Sequence, residues 1–279
     1  MSGFGRSLAP FSELAVGIRR LVAPNPSMMT GPGTNTYLFG NDEVAVLDPG
    51  PVIESHLQNI EAVAAGKIRW VLVTHTHPDH SPAAVVLANR VGAELLGRPA
   101  PEGGHQDKTF VPDRILEDGD CIRVDGIEIE AIQTPGHASN HVCYRHLEQN
   151  WIFTGDHIID GSTVVINPPD GNMKDYLASL EKLKRFDPVA LAPGHGDLIN
   201  DPQRLADWII EHRLHREAKV LLALRENPRL TSMELVPHVY ADVDKKLYGW
   251  AERSLLAHLI KLQSGGLARL VNDRWAAVA

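Results

Sequence analysis

Four side chains able to bind a metal, His75, His77, Asp79 and His80, stand within six residues in the stretch Thr74-His75-Thr76-His77-Pro78-Asp79-His80. Three imidazoles and a carboxylate crowded together gain nothing by packing, because once desolvated or protonated they are costly to hold unless a cation sits among them. A metal site is the economical explanation. One such cluster supplies ligands from neighbouring positions only, so a complete site needs residues from elsewhere in the chain. Three later positions share one grammar. His137 lies in Thr134-Pro135-Gly136-His137, Asp156 in Phe153-Thr154-Gly155-Asp156, and His195 in Ala192-Pro193-Gly194-His195. Each follows a glycine at the end of an apolar run, where loops present function on a rigid scaffold.

These positions must be carried by regular elements, and the apolar pattern supplies them. The run from Ile68 to Val73 reads as a buried strand leading into the first cluster, and Ser81-Pro82 opens a helix through Val85 to Val91, since proline is tolerated where the N–H has no partner. Upstream, an edge strand is expected around Ile18 to Val22. Thr36 to Phe39, the turn Gly40-Asn41-Asp42, and Val44 to Leu47 read as a hairpin that ends in Asp48-Pro49-Gly50. Ile53 to Ala65 has helical spacing. Downstream follow a short strand from Ala93 to Leu96, a polar loop over 97–114, and a hairpin around Asp125-Gly126. A strand pair (His141 to Tyr144 with Trp151 to Phe153), a helix from Met173 to Leu183 and a last strand from Val189 to Ala192 complete this part. Hairpins followed by alternating strands and helices favour sheets sandwiched between helices.

From residue 201 the texture becomes nearly continuous helix. Pro202 to Arg225 is stopped by Asn227-Pro228, the capping box Thr231-Ser232-Met233-Glu234 opens a helix to Tyr240, and Trp250 to Gln263 forms a third. Leu267 to Val278 reads as a small hairpin. Three helices and a hairpin predict a winged-helix-like appendix, so the expected domains are 1–200 and 201–279.

His75-Thr76-His77-Pro78-Asp79-His80 with His137, Asp156 and His195 resembles, position by position, the signature of the metallo-β-lactamase superfamily. That resemblance implies an αββα sandwich of mixed α/β class with a dinuclear centre. One metal would take His75, His77 and His137; the other would take Asp79, His80 and His195, with Asp156 bridging both. Asp48 resembles the acidic position that accepts a hydrogen bond from a ligating imidazole, its ordinary alternative being an Asp-Pro-Gly turn. The donor types suit two zinc ions, with iron or manganese also accommodated because no thiolate is called for. Such a pair lowers the pKa of a shared water from about 15.7 towards about 7 and polarises a carbonyl or phosphoryl oxygen. Asp79 is expected to act as ligand and also as the catalytic group that orients the resulting hydroxide.

A hydrolytic centre does not choose its substrate. Gly33 to Leu38, the block Pro168 to Met173 and the helical tail resemble a branch of lactamase-like proteins with a C-terminal winged helix, which includes a mitochondrial endoribonuclease and bacterial relatives. The first expectation is therefore cleavage of single-stranded RNA, with His212, Arg213, His215, Arg216, Lys219, Arg225 and Arg229 as a basic strip; a solvated helix face is the plainer reading. The alternative is a small-molecule hydrolase of the thioesterase or glyoxalase-II kind, with β-lactam cleavage incidental. A non-catalytic nucleic-acid-binding module is the third and weakest reading, since no ligand position is missing.

Composition bounds these readings. The chain has 279 residues and a net charge of -8. Residues 201–279 carry 12 Lys and Arg against 10 Asp and Glu, a net +2, so the acidity belongs to the first 200 residues. Tight, sequence-independent wrapping of nucleic acid is not indicated. Two cysteines, Cys121 and Cys143, are too few for a disulfide framework and are expected to be inert packing residues. Without a leader pattern or a long apolar run, the expectation is a cytoplasmic protein that does not enter a membrane. Apolar residues of the tail cover the first domain or form a homodimer contact. His141 and His157 are read as substrate-facing or structural, and His56, His105, His146, His212, His215, His238 and His258 as surface or packing residues without partners.

Overall fold

The computed structural model describes residues 11–103 and 106–278; His105 lies outside them. Two compact units are present, and neither is one continuous segment. The first comprises the described residues up to 133, with 140–162 and 188–200; the second comprises 134–139, 163–187 and 201–278.

The first unit is built on two sheets. Strands β1 (Ser12–Ala15), β2 (Ile18–Val22), β3 (Asn35–Phe39), β4 (Val44–Leu47), β5 (Ile68–Leu72), β6 (Glu94–Gly97) and β7 (Arg114–Ile115) lie side by side in chain order. Ile18–Val22 is therefore not an edge, because β1 pairs outside it. The second sheet has the order β12-β11-β10-β9-β8, from β8 (Cys121–Val124), β9 (Ile127–Gln133), β10 (Val142–His146), β11 (Trp151–Gly155) and β12 (Ala190–Pro193). Tyr37, Phe39, Leu47, Leu72, Val142, Tyr144 and Phe153 share one apolar layer between the sheets. Helices α1 (Glu54–Ala64) and α2 (Pro82–Val91) cover the outer face of the larger sheet through Leu57, Ile60, Ala84 and Leu87. At about 25 cal/mol per Å² of apolar area removed from water, these two layers supply most of the drive to fold.

Two parallel pairs, one in each sheet, matter for function. Pairing of β4 with β5 brings Asp48 beside Thr74, and pairing of β11 with β12 brings Asp156 beside His195. Chain order alone would not bring these positions together. The sheets are also stitched at the same end: Val142 N–H donates to Thr74 O at 2.8 Å, and Tyr144 Oη–H to Val73 O at 2.8 Å. Asn35 N–H reaches Gly194 O at 2.7 Å, and Tyr37 Oη–H reaches Pro193 O at 2.7 Å.

The second unit gathers α3 (Met173–Lys184), α4 (Pro202–Glu226), α5 (Ser232–Val239), α6 (Tyr248–Ser264) and the hairpin β13 (Ala268–Val271) with β14 (Arg274–Ala277). Asn172 caps α3, its side chain accepting from Lys174 N–H and Asp175 N–H. The capping box forms as the sequence predicts, Thr231 Oγ1 accepting from Glu234 N–H while Glu234 accepts from Thr231 N–H at 2.8 Å. Val220, Leu224, Leu235, Leu255, Leu259 and Trp275 close its core.

Three of the histidines expected to lack a role are deeply buried: His56 is 1 %, His146 2 % and His258 0 % exposed. His56 Nε2 bonds Thr36 Oγ1 at 2.9 Å, and loss of water pushes its pKa down to about 4. Between that value and the ordinary value of about 6.5, the unfolded chain takes up a proton that the folded chain excludes, so stability is full above pH ~6.5 and falls as the pH drops towards 4. His56→Gln should remove on the order of 2 kcal/mol of the difference in denaturant stability between pH 7 and pH 4.5; an unaltered difference would assign the acid sensitivity to another group.

Candidate metal centre

The predicted ligands converge into two groups. The ring nitrogens of His75, His77 and His137 lie within 4.8 Å of one another, and so do the donor atoms of Asp79, His80, Asp156 and His195. All seven positions singled out in the sequence fall within these two groups, Asp156 lying in the second.

Hydrogen bonds on the outer nitrogens fix which face of each ring points inward. His195 Nδ1–H donates to Gly33 O at 3.1 Å, His137 Nδ1–H to Val165 O at 2.9 Å, and His80 Nδ1–H to Asp48 Oδ2 at 2.9 Å. Carbonyls and carboxylates only accept, so each Nδ1 carries the proton and each Nε2 lone pair is left for a cation. His75 is oriented through Thr74. Its hydroxyl donates to Asp48 Oδ2 at 2.8 Å and therefore accepts from His75 Nδ1–H at 3.0 Å. His75 Nε2 then faces His77 Nδ1 at 2.8 Å. Asp48, 2 % exposed, also accepts from Thr74 N–H at 2.7 Å. It orients one imidazole of each group, directly for His80 and by way of Thr74 for His75.

The residues present fit a metal. His80 Nε2 and His195 Nε2 are buried without a hydrogen-bond partner. Each faces carboxylates at non-bonding geometry: His80 Nε2 is 3.7 Å from Asp79 Oδ2 and 3.3 Å from Asp156 Oδ1, and His195 Nε2 is 3.3 Å from both of those oxygens. Donors spaced around a common centre in this way suit a cation better than they suit one another. Gly194 permits the convergence, because a Cβ there would lie 2.8 Å from both Asp156 Oδ1 and His80 Cε1. Asp79 is the most exposed of the four, with 28 % of its side chain accessible, which puts it at the mouth of the group.

Electrostatics agree. Burial works against charge on His80, yet Asp79, Asp156 and Asp48 outweigh it and raise its pKa well above the ordinary value. Burial likewise disfavours charge on His195, but Asp156 and Asp79 lift its pKa to about 9. Burial would raise the pKa of Asp156, and His80 and His195 instead hold it well below the carboxylate range. Asp79 is lowered in the same way, burial being overcome by His80 and His195. Four groups that need opposite charge nearby are thus confined in one small volume.

Other expectations need correction. His141 and His157, read as substrate-facing or structural, are 1 % and 0 % exposed, and the His141 ring centre lies 5.1 Å from that of His75. Cys121 is exposed and is not a packing residue, whereas Cys143 is buried as expected. The basic strip loses its central members, since Arg213 is 4 % and Arg216 9 % exposed. Arg216 donates to Val239 O and pairs with Asp242. Helical spacing marks a face but does not tell which long side chain folds inward. Sequence reasoning missed the Thr74 relay and the carbonyls of Gly33 and Val165, because a backbone acceptor leaves no residue signature. Asp48→Asn should weaken binding of the ion held by His80 by about 10- to 100-fold in a chelator competition, with far-UV circular dichroism preserved; undiminished affinity would show that Asp48 serves the turn alone.

Comparison with known proteins places this geometry. Residues 29–195 match the profile of the metallo-beta-lactamase superfamily, and residues 231–275 that of the beta-lactamase associated winged helix domain. The chain is 31 % identical to a beta-lactamase-like protein 2 homolog of Caenorhabditis elegans, over 91 % of this chain and 84 % of that one. It is 32 % identical to an atrochrysone carboxyl ACP thioesterase of Aspergillus fumigatus, over 80 % of this chain and 71 % of that one. In fold it is similar to the crystal structure of a beta-lactamase domain protein from Burkholderia ambifaria, with a TM-score of 0.82 at 21 % identity, covering 99 % of this chain and 96 % of that one. With the two ligand groups, the paired sheets and the C-terminal winged helix all accounted for, the chain belongs to the metallo-β-lactamase superfamily, whose enzymes are hydrolases.

Proposed function

We propose that this chain is a metal-dependent hydrolase of acyl thioesters, with zinc in both positions. The observation that carries the hydrolytic part is the convergence of seven ligand side chains into two adjoining groups. The thioester part is supported by the likeness, over most of the chain, to a relative named as a thioesterase. His75, His77 and His137 would hold one ion, and Asp79, His80, Asp156 and His195 the other. Bound there, the pair would acidify a water and polarise the thioester carbonyl. Asp79, at the mouth, orients the attacking water, takes its proton and passes it to the sulfur as the C–S bond breaks, giving a carboxylic acid and a thiol.

Single-stranded RNA, the first expectation from the sequence, is the weaker reading. It leaned on a cationic strip whose central members, Arg213 and Arg216, are folded inward.

Acyl-CoA thioesters, S-lactoylglutathione, 5'-labelled single-stranded RNA and a chromogenic lactam form the test panel. The expected result is chelator-sensitive turnover of the acyl-CoA thioesters, lost in His77→Ala and His195→Ala without change in far-UV circular dichroism. RNA cleavage in the absence of thioester turnover would reverse the assignment. About two metal ions per chain are expected by elemental analysis. Because nearby carboxylates raise the pKa of His80 and lift that of His195 to about 9, and both rings must be neutral to ligate, loading chelator-stripped protein should release protons and weaken as the pH falls. Calorimetry in two buffers of different ionisation enthalpy measures this; loading without proton release would contradict the electrostatics described above.

A further inference from the structure

Arg213 on α4 is a buried cation that the hydrolytic reading does not use. It is 4 % exposed, no carboxylate pairs with it among the described residues, and its Nε is buried without a partner. A guanidinium so placed costs free energy unless it is needed where it stands. Its Nη2–H donates to the carbonyl of Val164, and its plane lies 5.5 Å from the centre of the Tyr176 ring. The next carbonyl along, that of Val165, is the one that accepts from His137 Nδ1–H. Residues 163–167 alternate in burial, Val164 and Ile166 turning inward, as an extended segment does when its successive carbonyls face opposite sides.

We propose that Arg213 is a positioning residue for the metal ligand His137: by clamping the Val164 carbonyl it sets the Val165 carbonyl that holds the His137 ring with Nε2 inward. The other half of the clamp is α3. Asn172 N–H donates to Gly136 O at 2.8 Å, and a Cβ on Gly136, whose φ is +145°, would lie 2.3 Å from Tyr176 Cα. Tyr176 itself is 0 % exposed. His137 is therefore held from its backbone side by α3 and from its ring side by a carbonyl tied to α4. The C-terminal helix is thereby part of the apparatus that shapes the metal centre. The inference rests on the metal assignment and is independent of the thioester substrate.

Arg216, one turn further along α4, is the internal control. It is also a buried arginine, bonded to Val239 O at 2.7 Å and stacked over Tyr240 at 4.4 Å, neither contact involving the segment that holds His137. The full-length chain is loaded with zinc, or with cobalt for its electronic spectrum, and each ion is titrated out with a chelator. Thermal unfolding of the stripped protein checks the fold. Arg213→Met should weaken one of the two ions by about 10- to 100-fold and shift the cobalt spectrum while the other ion stays at wild-type affinity. Arg213→Lys, which keeps a donor and a charge, should recover part of that loss. Arg216→Met should lower the unfolding temperature and leave both ions unchanged. Wild-type affinity and spectrum in Arg213→Met, or an equal loss in Arg216→Met, would overturn the proposal. If Arg213→Met does not fold, Arg213→Gln, whose shorter side chain gives up the charge and the long reach to the Val164 carbonyl, decides: a weakened ion with a shifted spectrum supports the clamp, and wild-type values overturn it. A wild-type chain that takes up no ion would overturn both this inference and the metal assignment, whereas absence of thioester turnover alone would leave it standing.

Discussion

A single buried carboxylate, Asp48, organises the candidate centre. Placed at 2 % exposure at the end of β4, it has to be surrounded by donors, and the three it finds are Thr74 N–H, Thr74 Oγ1–H and His80 Nδ1–H. Each bond does more than offset desolvation. The two to Thr74 fix the residue that begins the ligand run and, through its hydroxyl, the tautomer of His75. The third fixes His80. Parallel pairing of β4 with β5 makes this possible, because it delivers the two strand ends to the same edge. In an antiparallel pair the end of one strand would meet the start of the other.

The second sheet repeats the device with different chemistry. There β11 and β12 run parallel, Gly194 N–H donates to Gly155 O at 2.8 Å, and the residues that follow, Asp156 and His195, face each other across the missing side chain of Gly194. The sequence pattern of a glycine before each late ligand is thus the imprint of close approach. Backbone-to-backbone contact at strand ends leaves no room for a Cβ.

Most elements could be read from periodicity and turn chemistry because those signals are local. Asp125-Gly126, Ser81-Pro82 and the Thr231–Glu234 box appear where expected, within a residue or two. The ligand set was legible for another reason: side chains that make no packing sense stand out. What stayed hidden is what depends on partners distant in the chain. β1 turned Ile18–Val22 into an interior strand, and burial turned Arg213 and Arg216 from surface charges into internal ones. The compact units also interleave, taking 134–139 and 163–187 with the helical tail, which a change of texture at residue 201 could not reveal.

The stitching of the two sheets at one edge also ties together the segments that carry the ligands. Thr74 O, Val73 O, Gly194 O and Pro193 O each receive a donor from the opposite sheet, and the ligand residues begin within two positions of these carbonyls. Segments around residues 75, 156 and 195 are remote in the chain and meet where the two sheets are joined, so each contact among them closes a long loop. An ion gripped by Asp79 and His195 would cross-link segments remote in sequence and resist the first steps by which the sheets come apart.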